Sequence, residues 1–132
     1  MAEIEVRIKS VRQGTASYEC TLMLKDKTAE RYLPIYIGKS QASRIKELLI
    51  GAPISKPQEQ SLVDNVSGDL EFISVVINKF KDNEFYAKLR FRRGDKIRHF
   101  RVQLTEAIIA SIKKEVPILV EETVLVKAGV TV

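Results

Sequence analysis

Apolar and polar residues alternate along the first part of the chain, a pattern typical of half-buried β-strands. The alternation covers residues 4–8 and returns at residues 18–24, after a turn that contains Gly14. Residues 32–37 then form a nearly continuous apolar segment with Pro34 inside it. Because proline lacks an amide hydrogen, we expect this third strand to lie at a sheet edge or to be locally broken at Pro34.

Helical spacing replaces the alternation in the middle of the chain. Apolar residues between positions 42 and 49 fall on one helical face, and Ser40 precedes them in a position to cap the helix. After a loop with two prolines, a short second helix is predicted over residues 58–66. A further helix is predicted over residues 105–114, with Thr105 as its N-cap.

The second half begins with a long strand over residues 70–80. Asp82-Asn83 and Gly94-Asp95 are typical hairpin turns, and they predict two more antiparallel strands. A short strand is expected at residues 117–120, and the tail after it is expected to add a helical turn and then fray. The order of elements is therefore βββαα followed by βββαβ.

This order predicts an α+β fold, with a mixed sheet built of hairpins and about three helices. The chain has 132 residues, which is the length of one domain, and we assign residues 1–132 to it with a core over about residues 3–126. Hydrophobic residues make up 45% of the chain, which excludes an intrinsically disordered class.

Several features of the sequence indicate a cytoplasmic protein. No apolar run is long enough to span a membrane, and the first residues lack the basic and apolar regions of a signal peptide. Cys20 is the single cysteine, so it has no partner for an internal disulfide, and we expect it to pack within a strand.

The positive charge is concentrated in one short segment. Residues 88–101 hold seven basic residues and one acidic residue, whereas the rest of the chain holds 15 basic and 16 acidic residues. The net charge of +5 therefore comes from this segment alone. A confined positive patch attracts polyanions, unlike a charge that is spread over the whole surface.

Counting back from the Gly94-Asp95 turn predicts how this charge is arranged. Lys88 lies opposite Arg101 and Arg90 lies opposite His99, so like charges face each other, which is unfavourable. Carboxylates of the protein or of a second subunit, a nucleic acid, or a small phosphorylated ligand would each relieve this repulsion. The predicted nucleic-acid-binding face comprises Tyr86, Lys88, Arg90, Arg92, His99 and Arg101. Tyr86 on this face either stacks on a base or covers a neighbouring residue.

Familiar catalytic motifs are absent from the sequence. The one histidine has cationic neighbours, and no phosphate-binding loop, dinucleotide fingerprint or paired-cysteine motif occurs. Glu59, Asp64 and Glu106 are carboxylates of the type that binds Mg²⁺, but their spacing identifies no metal site. Glu106 is also explained by its favourable position in the first turn of a helix.

Several segments, in order along the chain, resemble the bifunctional-nuclease domain family. They are RYLPIYIG at residues 31–38, DNEFYAKL at 82–89, TEAI at 105–108 and VPILV at 116–120. The family has L-P-I-W-I-G, D-G-T-F-Y-A-R-L, S-D-A and A-P-I-Y-V at these places. The resemblance implies a compact α+β domain that self-associates, and a ribonuclease and deoxyribonuclease activity.

The polar residues of the family pattern are partly replaced. Where the family has R-P-x-T-H-D, this chain has Gln60 and Ser61 in place of the His and the Asp. The acidic residue that follows I-G in the family is Gln41 in this chain. The family's R-P-S-D-A becomes QLTEA, so Thr105 and Glu106 alone keep the chemical type. Because a glutamine is neither a general base nor an anionic ligand, the resemblance implies impaired hydrolysis if the family uses the replaced residues.

The sequence therefore supports two main hypotheses. The first is a divergent nuclease-family domain that binds RNA or DNA through the basic hairpin; any cleavage is assigned to Glu106 and Thr105, with Mg²⁺ as an optional cofactor. The second is a catalytically inactive interaction module that binds a protein or a small anion. In a third interpretation the basic face forms a contact between subunits of a homo-oligomer.

Overall fold

The computed structural model describes residues 2–13, 20–51 and 70–131 of the chain. The predicted helix over residues 58–66 lies outside the described residues, as do Gly14, Tyr18, Glu59, Gln60, Ser61 and Asp64. The elements are β1 (Glu3–Gln13), β2 (Cys20–Asp26), β3 (Arg31–Ile37), α1 (Lys39–Leu49), β4 (Glu71–Lys81), β5 (Glu84–Arg93), β6 (Lys96–Val102), α2 (Leu104–Lys114), β7 (Ile118–Glu121), α3 (Glu122–Ala128) and β8 (Val130–Thr131).

All eight strands join one mixed sheet in the order β6-β5-β4-β7-β1-β2-β3-β8. Every pair of neighbours in this sheet is antiparallel except β4 and β7, which are parallel. Strand β7 lies between β4 and β1 and so joins the two halves of the chain. The predicted α+β class and mixed sheet are confirmed, and no described helix has the length and apolar character that crossing a membrane requires.

The core lies between one face of this sheet and the helices. Alternate strand residues such as Leu22, Leu24, Leu33, Val75 and Leu89 are at most 1% exposed. Residues of α1, α2 and α3 belong to the same cluster. Burial of one such side chain stabilises the fold by about 1.5–3 kcal/mol, which explains why the alternation in the sequence predicts the strands well. Cys20 is buried in β2, as predicted.

The predicted position of Pro34 at a sheet edge is confirmed. Strand β8 pairs with β3 only at Arg31 and Tyr32, so within the described ranges the outer edge of β3 has no strand partner from Pro34 onwards. The helical turn predicted in the tail is confirmed by α3, but the predicted fraying is wrong. The chain continues into β8 after α3, because Val124 and Leu125 are buried in the core and anchor the tail.

An ion-pair network built on the buried Asp26 holds the tail and the β2–β3 hairpin together. The Arg31 guanidinium donates to Asp26 (Nη2 to Oδ2, 2.9 Å) and to Glu122 (Nη1 to Oε1, 2.8 Å). Burial of the Asp26 carboxylate would raise its pKa, but the Thr28 amide and the Arg31 guanidinium outweigh that effect, so the pKa lies below its usual value. Asp26 is therefore ionised in the folded protein at neutral pH.

Both predicted helix caps are wrong. Helix α1 begins at Lys39 with Gly38 as its N-cap, and the Gly38 amide donates to Gln41 Oε1 at 2.9 Å. Helix α2 begins at Leu104 with Gln103 as its N-cap, which places Thr105 within the helix. The Thr105 hydroxyl instead accepts a hydrogen bond from Gln41, a contact across 64 residues that local sequence does not reveal.

Candidate nucleic-acid interface

The β5–β6 hairpin has the register predicted from its turn. Lys88 is paired with Arg101, and Arg90 with His99, across the two strands. Gly94 in the turn has φ of +63°, a conformation that glycine adopts at little cost, and this turn fixes the register. Ala87, Leu89 and Phe91 of β5 are buried against the helices, so the residues between them lie on the opposite face of the sheet, which we call the basic face. It consists of Tyr86, Lys88, Arg90, Arg92, His99 and Arg101.

Two arginines of the basic face are paired with carboxylates of the same chain. Arg90 makes a bidentate ion pair with Glu3 of β1, in which Nη1 donates to Oε1 at 2.9 Å. Arg92 donates to Glu71 of β4, also at 2.9 Å. The hydrogen bond from Arg90 lowers the pKa of Glu3, and the bond to Glu3 raises the pKa of Arg90. The charge of the face is therefore partly compensated within the protein, one of the outcomes that the like-charge pattern allowed.

Lys88 and Arg101 form no ion pair in the described part of the chain, although Lys88 lies near enough to Glu3 to lower the pKa of that carboxyl. They lie opposite each other on neighbouring strands. Arg101 is exposed and Lys88 is half-buried. The free cationic site is therefore smaller than the sequence predicts and lies at the end of the hairpin away from the Gly94-Asp95 turn.

His99 lies opposite Arg90 on the basic face, and Arg101 follows it on the same face of β6. Its Nε2 accepts a hydrogen bond from Arg90 Nε at 3.4 Å. Burial lowers the pKa of His99, and the positive charges of Lys88 and Arg90 lower it further. His99 is therefore neutral at neutral pH, and a bound anion would favour its protonation.

Two clefts meet at Tyr86 and Arg101. The larger has a volume of about 830 Å³ and lies among the end of β3, the β4–β5 turn, the end of β6 and the start of α2. The smaller, about 460 Å³, lies on the basic face and is lined by Lys79, Lys88 and His99. Tyr86 and Arg101 line both clefts, so a polymer that follows the basic face reaches the larger cleft without leaving the surface.

The polar lining of the larger cleft brings together two positions of the family pattern. Gln41 Nε2 of α1 donates to Thr105 Oγ1 of α2 at 3.1 Å, while Gln41 Oε1 accepts from the Gly38 amide. Gln41 thus holds the first turns of the two helices side by side. The Thr105 hydroxyl accepts this bond and keeps its own hydrogen for a further partner, and Glu106 beside it is exposed and lines the same cleft.

The carboxylates of the larger cleft are Glu84 and Glu106. Across the described ranges there is no group of three or more histidine, cysteine, aspartate or glutamate residues that could hold a metal ion. Two carboxylates together with the phosphate of a substrate are nevertheless a donor set that Mg²⁺ uses. Glu84 and Glu106 are therefore the residues of this cleft that would hold a Mg²⁺ ion together with a substrate phosphate.

Sequence reasoning missed two residues of this region. Tyr36 is 81% exposed and lines the larger cleft, and Lys79 places its Nζ 5.6 Å from the centre of the Tyr86 ring. Because β3 is apolar on both faces, its sequence does not show by alternation which side chains are exposed, and Tyr36 was missed for this reason. The positions of Leu33 and Ile35 in the core nevertheless imply that Tyr36 points away from it.

Comparisons with known proteins show to which family the chain belongs. The profile of the bifunctional nuclease domain matches residues 22–132. The uncharacterized proteins MT1877 and Rv1829 of Mycobacterium tuberculosis, from strains CDC 1551 and H37Rv, are each 30% identical to this chain over 130 residues. The match covers 97% of this chain and 77% of each relative. The chain belongs to the bifunctional nuclease domain family.

Proposed function

We propose that this domain binds RNA or DNA through Lys88 and Arg101, with Tyr86 beside them. The observation that carries the proposal is a pair of cations on adjacent strands that has no ion-pair partner among the described residues: both line the smaller cleft, and Arg101 also lines the larger one. Family membership supports a polyanionic ligand of this class.

The energetics of the pair favour a bound phosphate. Like charges directly opposite each other in a sheet lower the stability of the fold by up to about 1 kcal/mol, and Lys88 and Arg101 form such a pair. Phosphates placed beside Lys88 and Arg101, one for each cation, offset the repulsion and release counterions of the nucleic acid. The contact to the phosphate backbone supplies affinity without selecting a base sequence.

The other members of the basic face have secondary roles in this proposal. Arg90 and Arg92 keep their ion pairs with Glu3 and Glu71, so each adds little net attraction. His99 is the neutral member of the face, and the negative charge of a bound phosphate would raise its pKa. The smaller cleft places Lys79 close enough to Tyr86 to extend the cationic surface.

The test is direct binding of the purified domain to fluorescein-labelled oligonucleotides, with RNA and single-stranded DNA assayed separately by anisotropy. We expect saturable binding that weakens as salt is raised from 50 mM to 200 mM. Absence of binding at 50 mM salt would overturn the proposal and leave an interaction module for a protein or a small anion. Binding that does not depend on salt would also contradict the assigned contacts.

A second candidate function is hydrolysis of the bound strand. It is favoured by one observation, that Glu84 and Glu106 line the same cleft as Arg101. Incubation of the labelled oligonucleotides with and without Mg²⁺ tests it, with Glu106→Gln and Thr105→Val as variants. Loss of cleavage and retention of binding in Glu106→Gln is the expected result. Cleavage by that variant at the wild-type rate would remove Glu106 from the mechanism.

A further inference from the structure

The side chain of Tyr36 is displayed to solvent by a rigid strand. It is 81% exposed, although the residues on either side of it, Ile35 and Ile37, are buried. An aromatic ring held in this way loses little conformational entropy when it contacts a ligand, because the backbone that carries it is already fixed. The fold itself therefore gives Tyr36 no packing role.

Tyr36 shares its cleft with a second accessible tyrosine. Tyr86 of β5 is 41% exposed and lines the same cleft of about 830 Å³. The two strands are far apart in the sheet order, with β4, β7, β1 and β2 between them. The sheet curls enough to bring the end of β3 and the start of β5 to one cleft. No contact between the rings of Tyr36 and Tyr86 occurs in the described structure.

The rest of the cleft suits a nucleotide. Arg101 lines it and offers a guanidinium to a phosphate. Gln41 and Thr105 provide an amide and a hydroxyl for the polar edges of a base or a sugar. The volume lies within the range of pockets that enclose small organic ligands, and an exposed tyrosine is a platform on which any of the bases can stack.

We infer that this cleft takes unpaired bases stacked on Tyr36 and Tyr86, so that the domain selects single-stranded over double-stranded nucleic acid. The inference rests on the proposed function, because Lys88 and Arg101 supply attraction to phosphates of either form. Only a single strand turns its bases outward to reach a cleft beside the phosphate contacts. A duplex keeps its bases stacked inside and presents phosphates and groove edges.

The experiment compares a single strand and a hairpin duplex of the same length, each with one 2-aminopurine. Wild-type protein should bind the single strand more tightly and quench the fluorescent base by stacking. Tyr36→Ala should weaken single-strand binding on the order of 5- to 150-fold and reduce the quenching, since Tyr86 remains, while duplex binding stays unchanged. Tyr36→Phe should restore both. Val126→Ala, at another exposed apolar residue (72% exposed), is the matched control and should change neither.

The outcomes separate this inference from the function on which it rests. Equal affinity for both forms, or a Tyr36→Ala variant that behaves like the wild type, overturns strand selection and leaves the Lys88–Arg101 site intact. Failure of both forms to bind overturns the proposed function together with the inference. Light scattering completes the test: a smaller mass of Tyr36→Ala with unchanged affinity would assign Tyr36 to a contact between copies of the chain.

Discussion

Removal of the positive charges of Lys88 and Arg101 should reduce both the affinity for nucleic acid and its dependence on salt. In the double variant Lys88→Gln/Arg101→Gln, two phosphate contacts are lost while the remaining ion pairs of the basic face stay in place. Each phosphate contact to a single strand contributes about 0.7 to the slope of log affinity against log salt, so the slope should fall by about 1.4.

The same slope gives the size of the defect. If the two contacts act through counterion release and vanish near about 1 M salt, binding should be about 60-fold weaker at about 50 mM and about tenfold weaker at about 200 mM. The double variant should also be as stable as the wild type or more so, because the cross-strand repulsion is gone. Loss of binding therefore cannot be attributed to unfolding.

A matched control is available on the same hairpin. Lys96→Gln/Arg98→Gln removes the same charge from β6, but these residues alternate with His99 and Arg101 and so lie on the opposite face of the strand. Anisotropy titrations at four salt concentrations compare the affinities of the two double variants. Equal loss of affinity in both would show that only net charge matters, and an unchanged slope in Lys88→Gln/Arg101→Gln would refute the assigned contacts.

The ion pairs and the single histidine give four further predictions. Glu3→Gln should free Arg90 for phosphate and strengthen single-strand binding about threefold at about 200 mM salt, measured by anisotropy; weaker binding would contradict this role. The pKa of His99 lies below its ordinary 6.5 in the free protein, so phosphate binding should raise this pKa and the affinity should increase as the pH falls below 6.5. An NMR titration of this one histidine, with and without oligonucleotide, measures the change in pKa, and His99→Asn should abolish the pH dependence of the affinity. Arg31→Met should cost about 3 kcal/mol in urea unfolding, because it leaves the buried Asp26 carboxylate without its guanidinium, and a cost near zero would refute the structural role of the network. Since the pKa of Asp26 is lowered in the fold, its contribution to stability is present above pH 3.8 and should be lost as the pH falls through the folded pKa, which acid unfolding followed by circular dichroism tests.

Local rules were enough to predict the hairpins. The Gly94-Asp95 turn fixes the pairing of Lys88 with Arg101, and the alternation of Ala87, Leu89 and Phe91 identifies the buried face. These features depend on neighbours in sequence or on the two-residue period of a strand, so the sequence alone contains them. The mixed α+β class follows from the same periodicities.

Contacts distant in sequence were not predictable in the same way. The like-charge pairing indicated that Arg90 needs an anion, but only the fold places Glu3, 87 residues away, beside it. The cap predicted at Thr105 failed for a related reason, since Thr105 bonds to Gln41 of the other helix. The cap predicted at Ser40 failed locally, because α1 begins one residue earlier and Gln41 bonds to the Gly38 amide. Tyr36 became significant only when the curl of the sheet placed it on the same cleft as Tyr86.

A chemical-shift map of a bound oligonucleotide tests the central claim most directly. A titration of ¹⁵N-labelled protein with an octamer of thymidylate or uridylate reports every contacted backbone amide. The account predicts that perturbations concentrate at residues 36–41, 84–90 and 99–106, which line the clefts and the basic face. Perturbations confined to α3 and β8, or none at concentrations that saturate the oligonucleotide signal, would contradict it.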